Sequence, residues 1–291
     1  MDVELIGLSL DRAGLDGFFG AWLLRGRCNA VVDVGPAGSA PGLIEALAAK
    51  GVRRVDYVLL THIHLDHAGG LAEFLTAYPM ARVICHETAV DHLADPSRLW
   101  SGSCQVLGGM AHVYGRPQPV PTGKLIPHDK NPLQEMQVVE TPGHAPHHLS
   151  FFWDGRLFAG EAAGVYLNVG ETDYLRPATP PRFRLDVCLE SIARMAAFED
   201  HEICYGHLGR SDSSHRQLER SRNQLKLWKE VIEEVLEDAP GNVLESCREA
   251  LLRRDPNLWA YHGMTGERQQ REASFMENSI KGFMGFLEKS V

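Results

Sequence analysis

"LLTHIHLDHAGG", residues 59–70, places His62, His64, Asp66 and His67 within six positions. A run of Val and Leu leads into it and Gly69-Gly70 follows, so it reads as a buried strand passing into a loop. An extended chain sends residues 62, 64 and 66 to one side. A turn after Leu65 lets His67 join Asp66 at a second centre. Neutral imidazole and carboxylate are the ligands that Zn, Fe and Mn accept. Four such groups at a strand end have little structural use, because buried polar groups need partners.

Three later segments offer the ligands such a site lacks. "VVETPGHAPHHLSFF" (138–152) is an apolar strand, a Pro-Gly turn, His144 and a second apolar strand. "RLFAGEAAG" (156–164) is a strand ending in Glu161 among small residues, and "ICYGHLG" (203–209) is a strand ending in His207. Each puts one ligand-capable residue at a strand end, where loops build active sites. Of the 14 histidines, those at 62, 64, 67, 144, 147, 148 and 207 fall in these segments, and the rest are scattered singly.

Around these motifs the chain alternates strands and helices. "VELIGLSL" and "AWLLRGRCNAVVDVG" read as paired strands. Residues 39–51 read as a helix capped by Ser39, with Pro41 in its first turn and Gly51 at its end. Strands over 54–60 and 81–87 flank a helix over 69–79, and Pro96 stops a short helix. Residues 96–135, rich in Pro and Gly, read as irregular structure over the mouth of a site. Strands follow over 135–143, 147–155, 156–160 and 201–207, with a helix over 185–199. Residues 168–184 show little periodicity and read as a long connection. Its Arg176, Arg182 and Arg184 are either solvated loop charges or contacts for an anionic substrate. The strand, strand, helix order occurs in both halves, which suggests two sheets packed face to face with helices outside. From Ser214 the apolar spacing turns helical, through Trp228 and on to Phe283. The expected domains are 1–213, catalytic, and 214–291, a C-terminal helical subdomain.

The chain has 291 residues, a net charge of −9, 44% hydrophobic and 23% charged residues, enough for a sizeable core. An acidic chain whose basic runs are only Arg53-Arg54 and Arg253-Arg254 argues against nucleic acid as a partner. No apolar stretch is long enough to span a membrane, and the start is acidic rather than a signal peptide. Six scattered cysteines without a C-x-x-C read as reduced thiols, which points to the cytoplasm. The expected partner is a small-molecule substrate, and the helical tail is a candidate cap, tail-binding surface or homodimer surface.

Taken together, the motifs resemble those of the metallo-β-lactamase-fold hydrolase superfamily. Its T-H-x-H-x-D-H signature is matched by Thr61, His62, His64, Asp66 and His67. Its two later histidines are matched by His144 and His207, and the resemblance runs over roughly residues 3–210. "TPGHAPHH" looks like the T-P-G-H-T-x-G-H of the glyoxalase II branch, with His148 as its second, non-ligand histidine and His147 in place of a glycine. The resemblance implies an α/β protein with an αββα four-layer sandwich and a dinuclear site at one edge. It implies that His62, His64 and His144 hold one ion, and that Asp66, His67 and His207 hold the other. A carboxylate at 161 would bridge them. That residue is usually Asp, and here it is Glu161.

Two transition-metal ions, Zn before Fe or Mn, would share a hydroxide that attacks a small ester, thioester, lactone or related substrate. Asp66 would be a ligand and catalytic proton acceptor, and His147 or His148 outer partners or simple packing residues. The alternatives are an iron-dependent redox enzyme of the same fold, persulfide dioxygenase-like, and a non-catalytic metal-binding regulator.

Overall fold

Strands with two apolar faces must be covered on both, and that requirement sets the layering. The computed structural model describes residues 1–181, 183–238 and 242–288. Strands β1 (Asp2–Leu8), β2 (Phe19–Arg25), β3 (Asn29–Val32), β4 (Tyr57–Leu59), β5 (Arg82–Cys85) and β6 (Leu125–Pro127) form one sheet in that order. It is antiparallel from β1 to β3 and parallel from β3 to β6. Leu23, Val31, Val58 and Val83 lie on its outer face with Leu43, Leu47 and Phe74. The last three belong to α1 (Ala40–Ala49) and α3 (Leu71–Ala77), and the single turn α2 (Leu65–Ala68) precedes α3.

Trp22, Leu24, Val32, Leu59 and Ile84 alternate with those residues. They meet Leu149, Phe151, Phe158 and Cys204 of a second sheet. Its strands are β7 (Gln137–Glu140), β8 (Leu149–Trp153), β9 (Arg156–Gly160), β12 (Glu202–Tyr205) and β13 (Arg210–Ser211), in the order β13-β12-β9-β8-β7. Phe152, Leu157 and Ile203 share the outer cluster with Ile192 and Met195 of α7 (Leu185–Ala196). The result is an αββα sandwich.

Helices α8 (Ser214–Asp238), α9 (Val243–Arg254) and α10 (Gly266–Leu287) complete the C-terminal region. Trp228 and Phe283 are fully buried, as their helical spacing requires. Asp255, also buried, accepts hydrogen bonds from Gln224 Nε2 at 2.7 Å and Trp228 Nε1 at 2.8 Å. Glu272 of α10 has no exposed surface and pairs with Arg176 Nε at 2.6 Å and Arg271 Nε at 2.8 Å.

Four sequence readings need correction. Residues 96–135 are not largely irregular. After α4 (Val90–Ala94) come α5 (Ser97–Leu107), α6 (Gly109–Tyr114) and β6. Leu99, Trp100, Cys104 and Leu107 give α5 a helical apolar face, but it only partly buries against the core, so the Pro and Gly residues beyond it dominated the reading. The connection 168–184 is not featureless either. It completes a hairpin of β10 (Val165–Val169) and β11 (Thr172–Arg176). Gly170, at φ 61°, takes the positive-φ position of the two-residue turn. Ser39 precedes α1 but does not cap it by hydrogen bonding; its hydroxyl donates back to Pro36 O at 2.9 Å. Finally, the turn in the histidine segment begins at Leu65 rather than after it.

Candidate metal centre

The strand ends of both sheets converge on one edge of the sandwich. β4 delivers Thr61 and His62, and α2 carries Asp66 and His67. The loop before β8 carries His144, β9 runs into Glu161, and β12 runs into His207. Two clusters result: His62, His64, His144 and Glu161 form one, and Asp66, His67 and His207 the other. These are the groupings that the resemblance implied. Glu161 spans both. Its Oε2 lies 2.9 Å from His144 Nε2, 3.5 Å from His62 Nε2 and 3.6 Å from His67 Nε2, and its Oε1 lies 3.3 Å from His207 Nε2. Asp66 Oδ2 is 3.8 Å from His67 Nε2, and His64 Nδ1 is 2.9 Å from His144 Nε2.

Hydrogen bonds on the far side of the rings decide which nitrogen faces inward. His144 Nδ1 donates to Ala178 O at 2.9 Å and His207 Nδ1 to Phe18 O at 3.1 Å. His67 Nδ1 donates to Asp33 Oδ2 at 2.8 Å. The Thr61 hydroxyl donates to Asp33 Oδ2 at 2.7 Å, so it accepts from His62 Nδ1 at 3.0 Å. In the neutral form of all four rings, the form that binds metal, Nε2 is therefore left with a lone pair directed at the cluster. His62 Nε2 and His67 Nε2 are buried without a hydrogen-bond partner. Orphaned nitrogens are costly unless something fills the space between them, and a metal ion fits that donor set.

Glu161 is fixed from behind as well. Its backbone N–H donates to His148 Nε2 at 3.1 Å, and His148 Nδ1 donates to Thr141 Oγ1 at 2.8 Å. With both nitrogens engaged, His148 is a support for Glu161 and not a ligand. A side chain at Gly160 (φ 54°) would reach 2.5 Å from His148 Nε2, so glycine is required at this approach. His147 borders the cleft, and burial, then the neighbouring His144, pushes its pKa down to about 4.

Charge follows the same geometry. Burial, reinforced by the facing His67, holds the His62 pKa well below the ordinary value. Burial does the same to His64, reinforced by His144. Burial works against the charge of Glu161, but His144, then His207 and His62, together outweigh it and keep the carboxyl well below its usual range. For His67, burial is outweighed by Asp66 and then Asp33, and the pKa rises well above the ordinary one.

Sequence reading missed Asp33, which is 1% exposed and accepts from Thr61 N at 2.8 Å as well. A carboxylate closing the apolar run "AVVDVG" was the available signal. We expect Asp33→Asn to weaken metal affinity about 10–100-fold, the usual cost of losing a ligand's outer partner, measured by chelator competition. Asparagine also tolerates the positive φ of 57° at this position, so an unchanged affinity would count against the role.

A cleft of about 680 Å³ opens over the clusters. Leu99, Val106 and Leu107 of α5 border it on one side, and Phe275, Asn278 and Ser279 of α10 on another. Phe18 links α10 to the clusters. It stacks on His207 at 4.3 Å and on Phe275 at 5.5 Å between ring centroids. Arg176 also borders the cleft but is buried against Glu272, and its Nη1 donates to Pro177 O at 3.3 Å. Arg184 lies at the border with 67% of its side chain exposed and pairs with Asp186 at 2.6 Å. Arg182 lies outside the described residues.

A third cluster, His86, His128 and Glu140, joins the edges of the two sheets. Its protons are on the wrong nitrogens for a metal. His86 Nδ1 accepts from Thr88 N at 3.2 Å and His128 Nδ1 from Glu87 N at 3.3 Å, so Nε2 carries hydrogen in both. His128 Nε2 donates to Glu140 at 3.2 Å.

The family profile described as the Metallo-beta-lactamase superfamily matches residues 21–207, more than half of the chain. The chain belongs to that superfamily. The metallo-beta-lactamase fold-containing protein ST1585 of Sulfurisphaera tokodaii is 32% identical over 165 residues, covering 54% of this chain and 61% of that protein. A hydroxyacylglutathione hydrolase of Stenotrophomonas maltophilia is 32% identical over 146 residues, covering 48% of this chain and 44% of that protein. The chain thus matches less than two thirds of the length of either relative. The crystal structure of ST1585, described from Sulfolobus tokodaii, superposes with a TM-score of 0.70 at 22% identity and covers 96% of this chain and 98% of its own. A metallo-beta-lactamase family protein of Thermus thermophilus, TTHA1429, gives 0.65 at 22% identity, covering 99% of this chain and 93% of its own.

Proposed function

We propose that the chain is a metal-dependent hydrolase of a small ester, thioester, lactone or related substrate. The observation that carries this is the set of inward-facing histidine nitrogens in two clusters spanned by one carboxylate. His62, His64 and His144 would hold one ion and Asp66, His67 and His207 the other, with Glu161 between them. Such ions supply Lewis acidity and a water acidified to near neutral pH.

The chain's own groups supply the rest. Asp66 borders the cleft and is only partly buried, so it can take the proton of an attacking water. The cleft has the volume of a site for a drug-sized molecule, with α5 and α10 as walls that orient the substrate over Glu161. The similarity to a hydroxyacylglutathione hydrolase supports testing acyl thioesters first.

Purified protein is expected to carry close to two transition-metal ions per chain, zinc before iron or manganese, by elemental analysis. Chelation should abolish hydrolysis in a panel of esters, thioesters, lactones and phosphodiesters, and metal should restore it. Protein that holds no metal after loading, or hydrolyses equally well without it, would sink the reading. Iron retention with oxygen uptake on a persulfide, and no hydrolysis, would replace it with a redox function.

All six cysteines are free, which supports a reducing compartment, the cytoplasm. No described helix is long and apolar enough to cross a membrane.

A further inference from the structure

Helix α5 has no fully buried residue, although half of its turns carry large apolar side chains. Leu99 and Leu107 pack only partly on the core, and Val106 is 56% exposed. All three border the cleft, and their helical spacing puts them on one face of α5. Phe275 of α10 and Val187 of α7 border the same cleft and are likewise only partly buried. Scattered exposed apolar residues need no explanation, but a set of them around one concave site marks a ligand groove. The groove is continuous with the clusters, because His64, Asp66, Glu161 and His207 border it too.

Gly102 lies on that face of α5, between Leu99 and Val106, and borders the cleft as well. Glycine inside a helix is destabilising relative to alanine. Neither backbone strain nor crowding accounts for it here. Its φ is not positive, and a Cβ at this position would meet nothing within 4 Å. Its bare backbone instead keeps the cleft wide in front of the helix. Polar anchors on this wall are few. Of the α5 residues that border the cleft, Arg98 alone is charged, and it stands exposed in the first turn. Arg176 and Arg184, which border the cleft elsewhere, already pair with Glu272 and Asp186.

We propose that the substrate carries a medium-length alkyl chain, which lies along α5 over Gly102, between Leu99 and Val106, while its ester, thioester or lactone group sits at the clusters. This rests on the hydrolase reading above and names the substrate class within it. A charged or sugar group on this wall would lose its hydration without finding partners. An alkyl chain loses nothing there, and it removes from water the apolar surface that the fold leaves open. Each methylene that enters the cleft adds affinity, so selectivity rises with chain length until the chain outgrows the face. The chain belongs to either the acyl or the leaving side of the substrate, and two ester series tell these apart.

The test uses metal-loaded protein and two probes that are not hydrolysed, butylphosphonate and octylphosphonate. By calorimetry, wild type should bind the octyl probe about 80-fold more tightly, at about threefold for each added methylene. Gly102→Leu fills the space in front of α5 and should cut that ratio about 10-fold, and Val106→Asn, which removes apolar surface, about threefold. Gly102→Leu should keep its metal and melt no lower, since leucine is the better helix former. Should it unfold, Val106→Asn at its exposed position decides. Turnover carries the same signature. The kcat/KM should rise from acetate to octanoate among p-nitrophenyl esters if the chain is on the acyl side, or from ethyl to octyl among alkyl acetates if it is on the leaving side. Equal binding of the two phosphonates by wild type, or binding of neither, would overturn the proposal. So would a preference that both variants retain in full, since the chain would then lie elsewhere. Preference for the octyl probe with no hydrolysis of any ester would end the hydrolase reading and leave the chain site standing. Hydrolysis without a chain preference in binding or rate would do the reverse.

Discussion

Glu161→Gln is expected to lose metal from at least one half of the centre and to lower hydrolysis by at least about 100-fold, the upper end of the cost of losing an outer partner. The carboxylate is within 3.6 Å of nitrogens from His62, His67, His144 and His207. Two divalent ions held close together repel. Asp66 alone leaves that repulsion mostly uncompensated, and the charge of Glu161 at the junction reduces it. Glutamine keeps the size and loses the charge. Glu161→Asp keeps the charge and is expected to retain both ions with an altered metal preference. Elemental analysis and ester turnover on all three proteins check the result. Unchanged stoichiometry and rate in Glu161→Gln would remove the bridging role.

The second large effect lies away from the chemistry. Glu272→Ala is expected to destabilise the fold by about 3–5 kcal/mol, the cost of breaking a buried ion pair from one side. At about 2 °C per kcal/mol for a chain of this size, that is a fall in Tm of roughly 6–10 °C. The reason is that Arg176 and Arg271, with only 5% and 7% of their side chains exposed, would be left facing each other without a counter-charge. Burial works against the Glu272 carboxylate, but Arg176 and Arg271 outweigh it and lower its pKa. The stabilisation is therefore fully present above the ordinary glutamate range and is lost as the pH falls through the lowered value. Thermal melts across acidic pH should show wild type and Glu272→Ala converging at the low end. A constant gap would show that lost packing, and not charge, sets the cost.

The candidate ligand set was legible because it is local: four of its residues fall within 62–67, Glu161 and His207 follow the ends of apolar strands, and His144 lies in the turn between two of them. The layering was legible for a similar reason, since both sheets are written as short apolar runs. What supports the ligands was not, because those contacts join distant parts of the chain. Asp33 and His67 are 34 residues apart, and Phe18 and His207 are 189 apart. Helices α5 and α6 were missed for another reason: the half-buried face of α5 gave too weak a periodic signal beside the flanking glycines and prolines. The β10–β11 hairpin escaped because its Gly-Glu turn is a weak signal compared with Asn-Gly.

The walls of the cleft and its floor come from different stretches of the polypeptide. The floor is made by strand ends, whose positions are dictated by the pairing of two sheets. The walls are α5, inserted between β5 and β6, and α10, appended after the last strand. On the proposed function, recognition and reactivity would thus fall to separate cassettes. A lineage can rewrite the helical cassettes to change what is admitted while the ligand-bearing frame stays constant, and an engineer can graft them in the same way. The Arg176–Glu272–Arg271 fastening marks where the C-terminal cassette is anchored, and any graft has to carry all three residues across the seam.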